Sequence, residues 1–224
     1  MCVLNSAQKR VVNVVCTIFA HNVVCTNARV TCDSSIALWY YIYLISSVLF
    51  CRSGKRNSVC FYGAPSCGKS LLASIIASVV PGNLVGKFTM QAARSSFWFQ
   101  SLLCKALYIG EEICLDEQSA QSIKLLMEGN PSLTTDVKHG EHLPVPPRPV
   151  IITSNDPIWS CVSKEMAPLR ERCYEFRFTS YVPLLNVTRN LSDQAAAWSY
   201  CVTRALALFP NFQDMDCEDE VILY

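Results

Sequence analysis

The sequence contains few of the residue patterns that bind structural metals. Its three histidines, His21, His139 and His142, are far apart or lack cysteine partners, and none of its 13 cysteines forms a Cys-x-x-Cys pair. The usual zinc spacings are therefore excluded. An odd number of scattered cysteines also does not form a disulfide framework. It favours reduced, mostly buried thiols in a cytosolic or nuclear protein.

The chain also has little net charge and only one extended apolar run. Its formal net charge is +1, so any nucleic-acid contact must be local. No secretory signal follows Met1, and the sequons at Asn186 and Asn190 are therefore predicted to be accidental. Residues 36–51 are shorter than the roughly 20 residues that span a bilayer. We expect them to form a buried helix, without stable membrane association; a membrane helix is the alternative.

The composition and the order of apolar segments predict an α/β protein. With 51% hydrophobic and 17% charged residues, the 224-residue chain can bury a sizeable core. Strands are predicted at residues 59–62, 106–110 and 150–154, helices at 36–51, 71–80, 117–128 and 195–209, and a hairpin at 133–145. Ser192 is the expected cap and Pro210 the stop of the last helix. Residues 214–220 are predicted to be solvated acidic surface, and residues 1–35 receive no functional assignment.

One short stretch matches the phosphate-loop pattern G-x-x-x-x-G-K-[ST]. It consists of Gly63, Ala64, Pro65, Ser66, Cys67, Gly68, Lys69 and Ser70. The glycines permit a tight turn whose backbone N–H groups point at a phosphate, Lys69 supplies charge to the β/γ-phosphates, and Ser70 is placed to ligate Mg²⁺. A predicted strand precedes the loop and a predicted helix follows it, so the phosphates would lie at a helix N-terminus.

Two later strands end in polar residues that suit nucleotide hydrolysis. Glu111 and Glu112 end an apolar strand about 40 residues after the loop, as in a Walker B motif. One carboxylate is needed near Mg²⁺ and another to orient and deprotonate the attacking water. We assign Glu111 to the metal and Glu112 to the water, although the order could be reversed. Asn155 ends the next apolar strand and could contact the γ-phosphate or the water, the role called sensor 1.

Taken in order, these residues resemble the motifs of the superfamily-3 helicases of small DNA viruses. The likeness is closest to the large non-structural (replication initiator) proteins of parvoviruses, with papillomavirus replicative helicases as near relatives. It covers about residues 55–180 and is carried by residues 63–70, 108–112, 126–140 and 149–155, all within about 95 residues. Residues 1–54 and 181–224 are then an unassigned, partly helical N-terminal segment and a C-terminal helical segment with an acidic tail.

The resemblance implies an AAA+-type P-loop NTPase core: a central, mainly parallel sheet flanked by helices, with a DNA-binding β-hairpin and small helical flanks. Such proteins assemble as rings, usually hexamers, around a DNA strand, and bind ATP and Mg²⁺ between subunits. Lys69, Ser70, Glu111, Glu112 and Asn155 would come from one subunit. In the neighbouring subunit, Arg172 matches the family's arginine-finger position, with Arg170 as the fallback and helix-surface arginines as the structural alternative.

The resemblance also implies a DNA contact at the tip of the hairpin. Lys138 would grip a phosphate and His139 would pack on the sugar or backbone. Lys124 could add positive charge but is expected on a solvated helix face. The aromatic segment Phe97, Trp98 and Phe99 is expected to pack in the core rather than stack on bases.

The leading functional hypothesis is therefore an ATP-dependent DNA helicase that acts on single-stranded DNA during viral genome replication in the host nucleus, probably with 3′ to 5′ polarity by analogy. Viral or host replication proteins are possible partners. A second hypothesis is a membrane-associated superfamily-3 NTPase of an RNA virus. The nicking domain usual in parvoviral initiators needs a His-hydrophobe-His pair, which these 224 residues do not contain. A third hypothesis is therefore a truncated, non-unwinding form that regulates the full-length protein.

Overall fold

Eight strands and six α-helices are found in the described part of the chain. The computed structural model describes residues 4–26, 34–90, 95, 97–137, 140, 142–179, 181 and 190–210. In chain order the elements are α1 (Ser6–Asn22), β1 (Val23–Cys25), α2 (Ser34–Leu49), β2 (Ser58–Gly63), α3 (Lys69–Ala77), β3 (Val85–Thr89), β4 (Leu107–Glu111), α4 (Glu117–Glu128), β5 (Thr134–Thr135), β6 (Leu143–Pro144), β7 (Val150–Ser154), α5 (Met166–Arg170), β8 (Cys173–Phe178) and α6 (Leu191–Leu208).

Six of the strands form one central sheet in the order β1-β8-β2-β7-β4-β3. Strands β8, β2, β7, β4 and β3 run parallel, and β1 is added antiparallel to β8 at one edge. The carboxyl ends of the five parallel strands therefore meet at one edge of the sheet, where α/β proteins bind their ligands. The expected α/β class with a central, mainly parallel sheet flanked by helices is confirmed.

The sheet is buried on both faces because its strands alternate between two hydrophobic clusters. In β2, Val59 and Phe61 face one cluster, which also takes apolar residues of α1, α2, α3 and α6, whereas Cys60 faces the other, which takes residues of α4 and α5. In β7, Ile151 faces the first cluster, and Ile152 faces the second. This two-residue period within nearly continuous apolar runs is typical of a parallel sheet covered by helices.

The N-terminal segment, which received no assignment from the sequence, forms α1 and β1. Asn5 caps α1: its side chain accepts a hydrogen bond from the Gln8 backbone, and the Gln8 side chain accepts one from the Asn5 backbone. The buried residues of α1 recur at helical spacing: Val11, Val14, Val15, Ile18 and Phe19. Both signals were present in the sequence, a capping box followed by a 3.6-residue apolar period.

Helix α2 confirms the buried helix expected at residues 36–51, although it starts at Ser34 and ends at Leu49. Ile42, Ile45 and Val48 are fully buried in the cluster shared with α1 and α6. Ser46, which interrupts the apolar run, is also buried and donates its hydroxyl hydrogen to the Ile42 carbonyl, 2.6 Å away. Among the described residues, no helix has the length and apolar character needed to cross a membrane.

Several expected boundaries need correction. Helix α3 begins at Lys69, inside the phosphate loop, and ends at Ala77, before the expected 80. Helix α6 is capped by Asn190, whose side chain accepts from the Ser192 backbone; the expectation that Ser192 itself is the cap is wrong. The Asn190 side chain reaches the N–H two residues ahead, and this places the first helical turn one residue earlier than Ser192.

The expected hairpin at residues 133–145 is present as the two-residue strands β5 and β6. Val145 N–H donates to the Leu133 carbonyl at 2.8 Å and ties the base of the hairpin together. Lys138 and His139 at its tip lie outside the described residues, as do residues 214–220 and Asn186.

Candidate nucleotide-binding site

The phosphate loop joins the carboxyl end of β2 to the start of α3. Gly63 has φ +144°, and a Cβ there would lie 2.2 Å from the Phe178 carbonyl oxygen, so only glycine fits between the loop and β8. Gly68 has φ +93° and is the N-cap of α3. Ser66 also adopts a left-handed backbone, with φ +60°. Left-handed residues turn successive backbone N–H groups inward, the arrangement that forms an anion-binding concavity.

Lys69 is folded back onto this loop. Its Nζ donates to the Gly63 carbonyl at 2.6 Å and the Ala64 carbonyl at 2.8 Å, and it contacts Cys67 Sγ at 3.4 Å. The residue is only 7% exposed. The ammonium group thus lies inside the loop, where an incoming phosphate would compete with carbonyl oxygens for its hydrogens.

Strand β7 brings the phosphate loop and the acidic strand end together. It lies between β2 and β4, with Tyr62 level with Ser154 and Gly110 level with Ile152. Asn155, the residue after β7, is exposed at this edge. Neighbouring strands are about 4.8 Å apart. The three sequence motifs therefore follow three adjacent strands and open onto the same edge of the sheet.

A cleft of about 380 Å³ lies between α3 and the ends of β3, β4 and β7. Its polar lining includes Ser70, Lys87, Glu111 and Thr153. Ser70 and Glu111, the two predicted Mg²⁺ ligands, therefore face one cavity. Glu112 and Asn155 are exposed nearby and are not among the residues lining it.

Lys87 on β3 was not identified as a candidate from the sequence. Its Nζ is 2.7 Å from Glu111 Oε1, in an ion pair whose side chains are 62% and 46% exposed. The strand register explains the pair, because β3 and β4 are parallel with Lys87 level with Ile109. The available signal was a lysine in the alternating segment 85–89, but its partner could be recognised only after the strand order was known.

Glu112 has an unusual backbone conformation for its residue type. Its φ of +52° is in the left-handed region, which costs a non-glycine residue of the order of 1 kcal/mol. The following backbone is held by β7: Ile113 N–H donates to the Thr153 carbonyl at 3.1 Å. Such local strain clusters at functional sites, and it here turns the carboxylate-bearing residue at the end of β4.

The residues present fit Mg²⁺ and a nucleotide phosphate. A hard divalent cation prefers oxygen ligands, and the Ser70 hydroxyl and the Glu111 carboxylate line the same cleft. The left-handed Ser66 and Gly68 shape the adjacent loop for an anion at the N-terminus of α3.

Arg172 lies away from this edge, immediately before β8, and therefore at the opposite end of the sheet from the phosphate loop of the same subunit. Its Nε is 2.7 Å from Glu128 Oε2, and its Nη1 donates to the Pro168 carbonyl. Hydrogen bonding by Asn130, together with Arg172, lowers the pKa of the Glu128 carboxyl. Any contact of Arg172 with a phosphate would therefore involve the site of another subunit.

Arg170, the fallback residue, also has a carboxylate partner. Its Nε is 2.7 Å from Glu175 Oε1, and Glu175 is 1% exposed. The guanidinium also lies 6.0 Å from the Trp159 ring centroid. Because Glu175 is buried in β8, this pair has a clear structural role.

Two further expectations about side chains can now be assessed. Trp98 and Phe99 are buried against Phe88, which confirms core packing for them, whereas Phe97 is 39% exposed. The expectation that Lys124 lies on a solvated face is wrong: its side chain is 16% exposed and its Nζ is 2.7 Å from Glu165 Oε2. A charge from the segment before α5 supplied a partner that the helical pattern of α4 could not reveal.

The described cysteines form no disulfide, in line with reduced thiols. Half of them are buried: Cys25, Cys60, Cys67, Cys173 and Cys201. Four are exposed: Cys51, Cys104, Cys114 and Cys161. The expectation of mostly buried thiols therefore holds for only part of the set.

Residues 29–219 match the family model of parvovirus non-structural protein NS1. The chain is 29% identical over 181 residues to the initiator protein NS1 of human bocavirus 4, covering 78% of this chain and 21% of that protein. It is 32% identical over 134 residues to the initiator protein NS1 of human parvovirus B19 (isolate AU), covering 57% and 19%. The chain thus spans about a fifth of the length of these relatives.

The fold is also found among solved structures. A crystal structure of JCV helicase superposes with a TM-score of 0.55 at 12% sequence identity, over 92% of this chain and 55% of the helicase chain. At this identity the likeness concerns the fold alone.

Proposed function

Because the chain belongs to the parvovirus non-structural protein NS1 family, as its motifs predicted, we propose that it is an ATP-dependent DNA helicase motor for the replication of a small DNA virus genome. The reaction is hydrolysis of the β–γ phosphoanhydride bond of ATP with Mg²⁺, coupled to movement on single-stranded DNA. The family match favours this function over the RNA-virus alternative.

One arrangement carries the proposal: three chemically different motifs follow three adjacent parallel strands. The phosphate loop follows β2, Asn155 follows β7, and Glu111 and Glu112 follow β4. An isolated phosphate loop would fit any nucleotide-binding protein. A loop combined with adjacent carboxylates and an amide at the same sheet edge fits hydrolysis, which needs phosphate binding, metal binding and a positioned water together.

Each side chain then has a distinct role. Lys69 leaves the loop carbonyls for the β/γ-phosphates, and Ser70 and Glu111 hold Mg²⁺, which neutralises phosphate charge when bound. Glu112 takes a proton from the attacking water, and Asn155 orients that water or the γ-phosphate. These groups stabilise the transferring phosphoryl group mainly by position and charge.

The remaining functions require assembly. We propose a homo-oligomeric ring, by family analogy a hexamer, in which Arg172 of one subunit reaches the nucleotide of the next. Lys138 and His139 would contact the single strand in the ring. Repetition of a few contacts around a ring provides the positive charge that a net charge of +1 does not suggest. The host nucleus is the proposed site of action, where viral or host replication proteins are candidate partners.

The test is ATP hydrolysis by the purified chain with and without single-stranded DNA, beside Lys69→Ala and a control, Lys9→Ala. Lys9 is exposed on α1, far along the chain from the loop. The proposal expects turnover that rises with DNA, persists in the control and disappears in Lys69→Ala. Nucleotide binding without turnover under all these conditions would contradict a motor and favour the alternative of a non-unwinding regulator.

A further inference from the structure

Two exposed thiols lie in contact on the surface next to the candidate site. Cys114 Sγ and Cys161 Sγ are 3.7 Å apart, although the residues are 47 positions apart in sequence. Both are exposed. A disulfide needs an S–S separation of about 2.05 Å, so the thiols are in van der Waals or weak hydrogen-bond contact and need a further approach of less than 2 Å to bond.

The backbones that carry these thiols are already held together. Ile113 N–H donates to the Thr153 carbonyl at 3.1 Å, and Leu115 N–H donates to the Ile158 carbonyl at 3.3 Å. Cys114 lies between the two donors in sequence. Their side chains, Ile113 and Leu115, are buried, whereas that of Cys114 points outward. The geometry therefore fixes one end of the thiol pair on a segment that is packed on both sides.

The two segments carry the catalytic candidates. Cys114 is two residues after Glu112, and Cys161 is six residues after Asn155. A bond between the sulfurs would join the segment after β4 to the segment after β7. It would restrict relative movement of the carboxylate and amide that are proposed to position water and phosphate.

We propose that Cys114 and Cys161 form a reversible oxidation site, which takes a low-molecular-weight disulfide such as oxidised glutathione and closes into an intramolecular disulfide beside the nucleotide site. The site goes beyond ATP hydrolysis, and its effect on turnover rests on the proposed function. Exposed thiols next to a partner thiol are the type that responds to oxidants in otherwise reducing compartments.

The reaction balances with glutathione disulfide as the oxidant. The thiolate of one cysteine attacks a glutathione sulfur, the oxidant's S–S bond breaks, and one glutathione leaves as a thiolate. The thiolate of the other cysteine then attacks the protein sulfur of this mixed disulfide and releases the second glutathione. Two protein thiols lose two protons and two electrons, and one glutathione disulfide becomes two glutathione molecules.

Local chemistry sets the conditions for this reaction. Desolvation, with the nearby Cys161 thiol and Asp156, raises the pKa of the Cys114 thiol. Since the thiolate is the nucleophile, closure should accelerate as the pH rises from neutral to mildly alkaline.

The test uses the full reduced chain, treated with oxidised glutathione, alkylated, digested without reductant and mapped by mass spectrometry. The expected product is a peptide pair linked through Cys114 and Cys161, which dithiothreitol separates. Cys51 and Cys104 are also exposed and serve as internal controls that should stop at the mixed disulfide. In Cys114→Ser and Cys161→Ser, the remaining cysteine should keep its glutathione. Separate adducts on Cys114 and Cys161 in the unsubstituted chain, or no modification of either, would overturn the site.

A second measurement follows the functional consequence. We expect the oxidised chain to lose roughly tenfold or more of its ATP turnover, because small displacements of catalytic groups have such effects, while nucleotide affinity stays within about threefold. Dithiothreitol should restore turnover, and oxidised Cys161→Ser should keep it. Linked peptides with unchanged turnover would overturn the effect on catalysis. Absent turnover in the reduced chain would instead count against the proposed ATPase, because the peptide map decides the thiol site independently.

Discussion

Lys87 Nζ lies 2.7 Å from Glu111 Oε1, across two neighbouring strands and on the wall of the candidate nucleotide cleft. Glu111 is the carboxylate proposed to bind Mg²⁺, so in this arrangement the lysine occupies a position that favours a cation. Both side chains are largely exposed, and such surface ion pairs contribute about 0–1 kcal/mol. The pair can therefore be exchanged for a metal contact at little cost.

Substitution of Lys87 should therefore strengthen the metal dependence of nucleotide binding. In Lys87→Met, we expect the Mg²⁺ concentration for half-maximal binding of a nonhydrolysable ATP analogue to fall about two- to fivefold, the equivalent of a surface ion pair. Lys55→Met is the matched control, because Lys55 forms an exposed ion pair with Glu171 at 3.1 Å. A rise in the required Mg²⁺ would show that Lys87 assists the phosphates instead.

The two adjacent glutamates should separate by function. In Glu112→Gln, loss of the base should reduce turnover by roughly 10²–10⁴-fold while Mg²⁺-dependent nucleotide binding persists. In Glu111→Gln, loss of a carboxylate ligand should weaken that binding itself. Single-turnover hydrolysis and titration with a fluorescent nucleotide measure the two effects. The reverse pattern would exchange the assignments, and equal effects would contradict the division of roles.

The role of Arg172 can be separated from that of its ion pair. Arg172→Ala should abolish turnover and retain nucleotide binding, as expected for an arginine finger. It should also destabilise the fold by about 1–3 kcal/mol, because Glu128 and the Pro168 carbonyl lose a donor. Glu128→Gln weakens the same ion pair but keeps the guanidinium. Comparable loss of turnover in both variants would make Arg172 a structural residue.

The same pair predicts a contribution to acid stability. Hydrogen bonds from Asn130 and Arg172 hold the pKa of Glu128 below its ordinary value of 4.5. A depressed folded-state pKa contributes stability above the unfolded value, and that contribution is lost as the pH falls through the folded pKa. Chemical denaturation between pH 6 and about pH 3 should therefore show a shallower acid-side loss in Glu128→Gln than in the unsubstituted chain. Parallel pH profiles would exclude this coupling.

The sequence predicted those features that depend on local pattern. The strand–loop–helix unit around Lys69, the boundaries of α4 and β7, and the buried character of α2 follow from apolar runs, caps and turn residues close together in the chain. Helix α1 was also predictable in principle, because Asn5 and Gln8 form a capping box ahead of a helical apolar period. Its segment was left unassigned because valines and cysteines obscure that period.

Features that depend on strand order could not be predicted in this way. The position of β7 between β2 and β4 decides that Asn155 meets the other two motifs, and the pairing of β3 with β4 places Lys87 beside Glu111. Likewise, the ion pair of Lys124 with Glu165 joins elements 41 residues apart. A helical period indicates which face is apolar, but it does not reveal which charge from another segment will cover the polar face.

The hairpin should separate DNA binding from basal catalysis. Strands β5 and β6 form its base, and Lys138 belongs to the connecting segment, away in sequence from every motif of the nucleotide site. In Lys138→Ala, single-stranded DNA affinity should fall, and the slope of log affinity against log salt should decrease by about 0.7 for each lost phosphate contact per binding unit. Unwinding should fall with it.

DNA-independent ATP hydrolysis should remain nearly unchanged in the same variant, because none of the groups that bind phosphate or metal has been altered. Lys9→Ala on α1 removes the same charge from an exposed helix and controls for net charge. Fluorescence anisotropy over a salt series, with ATPase rates measured on the same preparations, checks both halves. A change of affinity without a change of salt slope would count against a phosphate contact, and loss of basal turnover would contradict the separation of hairpin and nucleotide site.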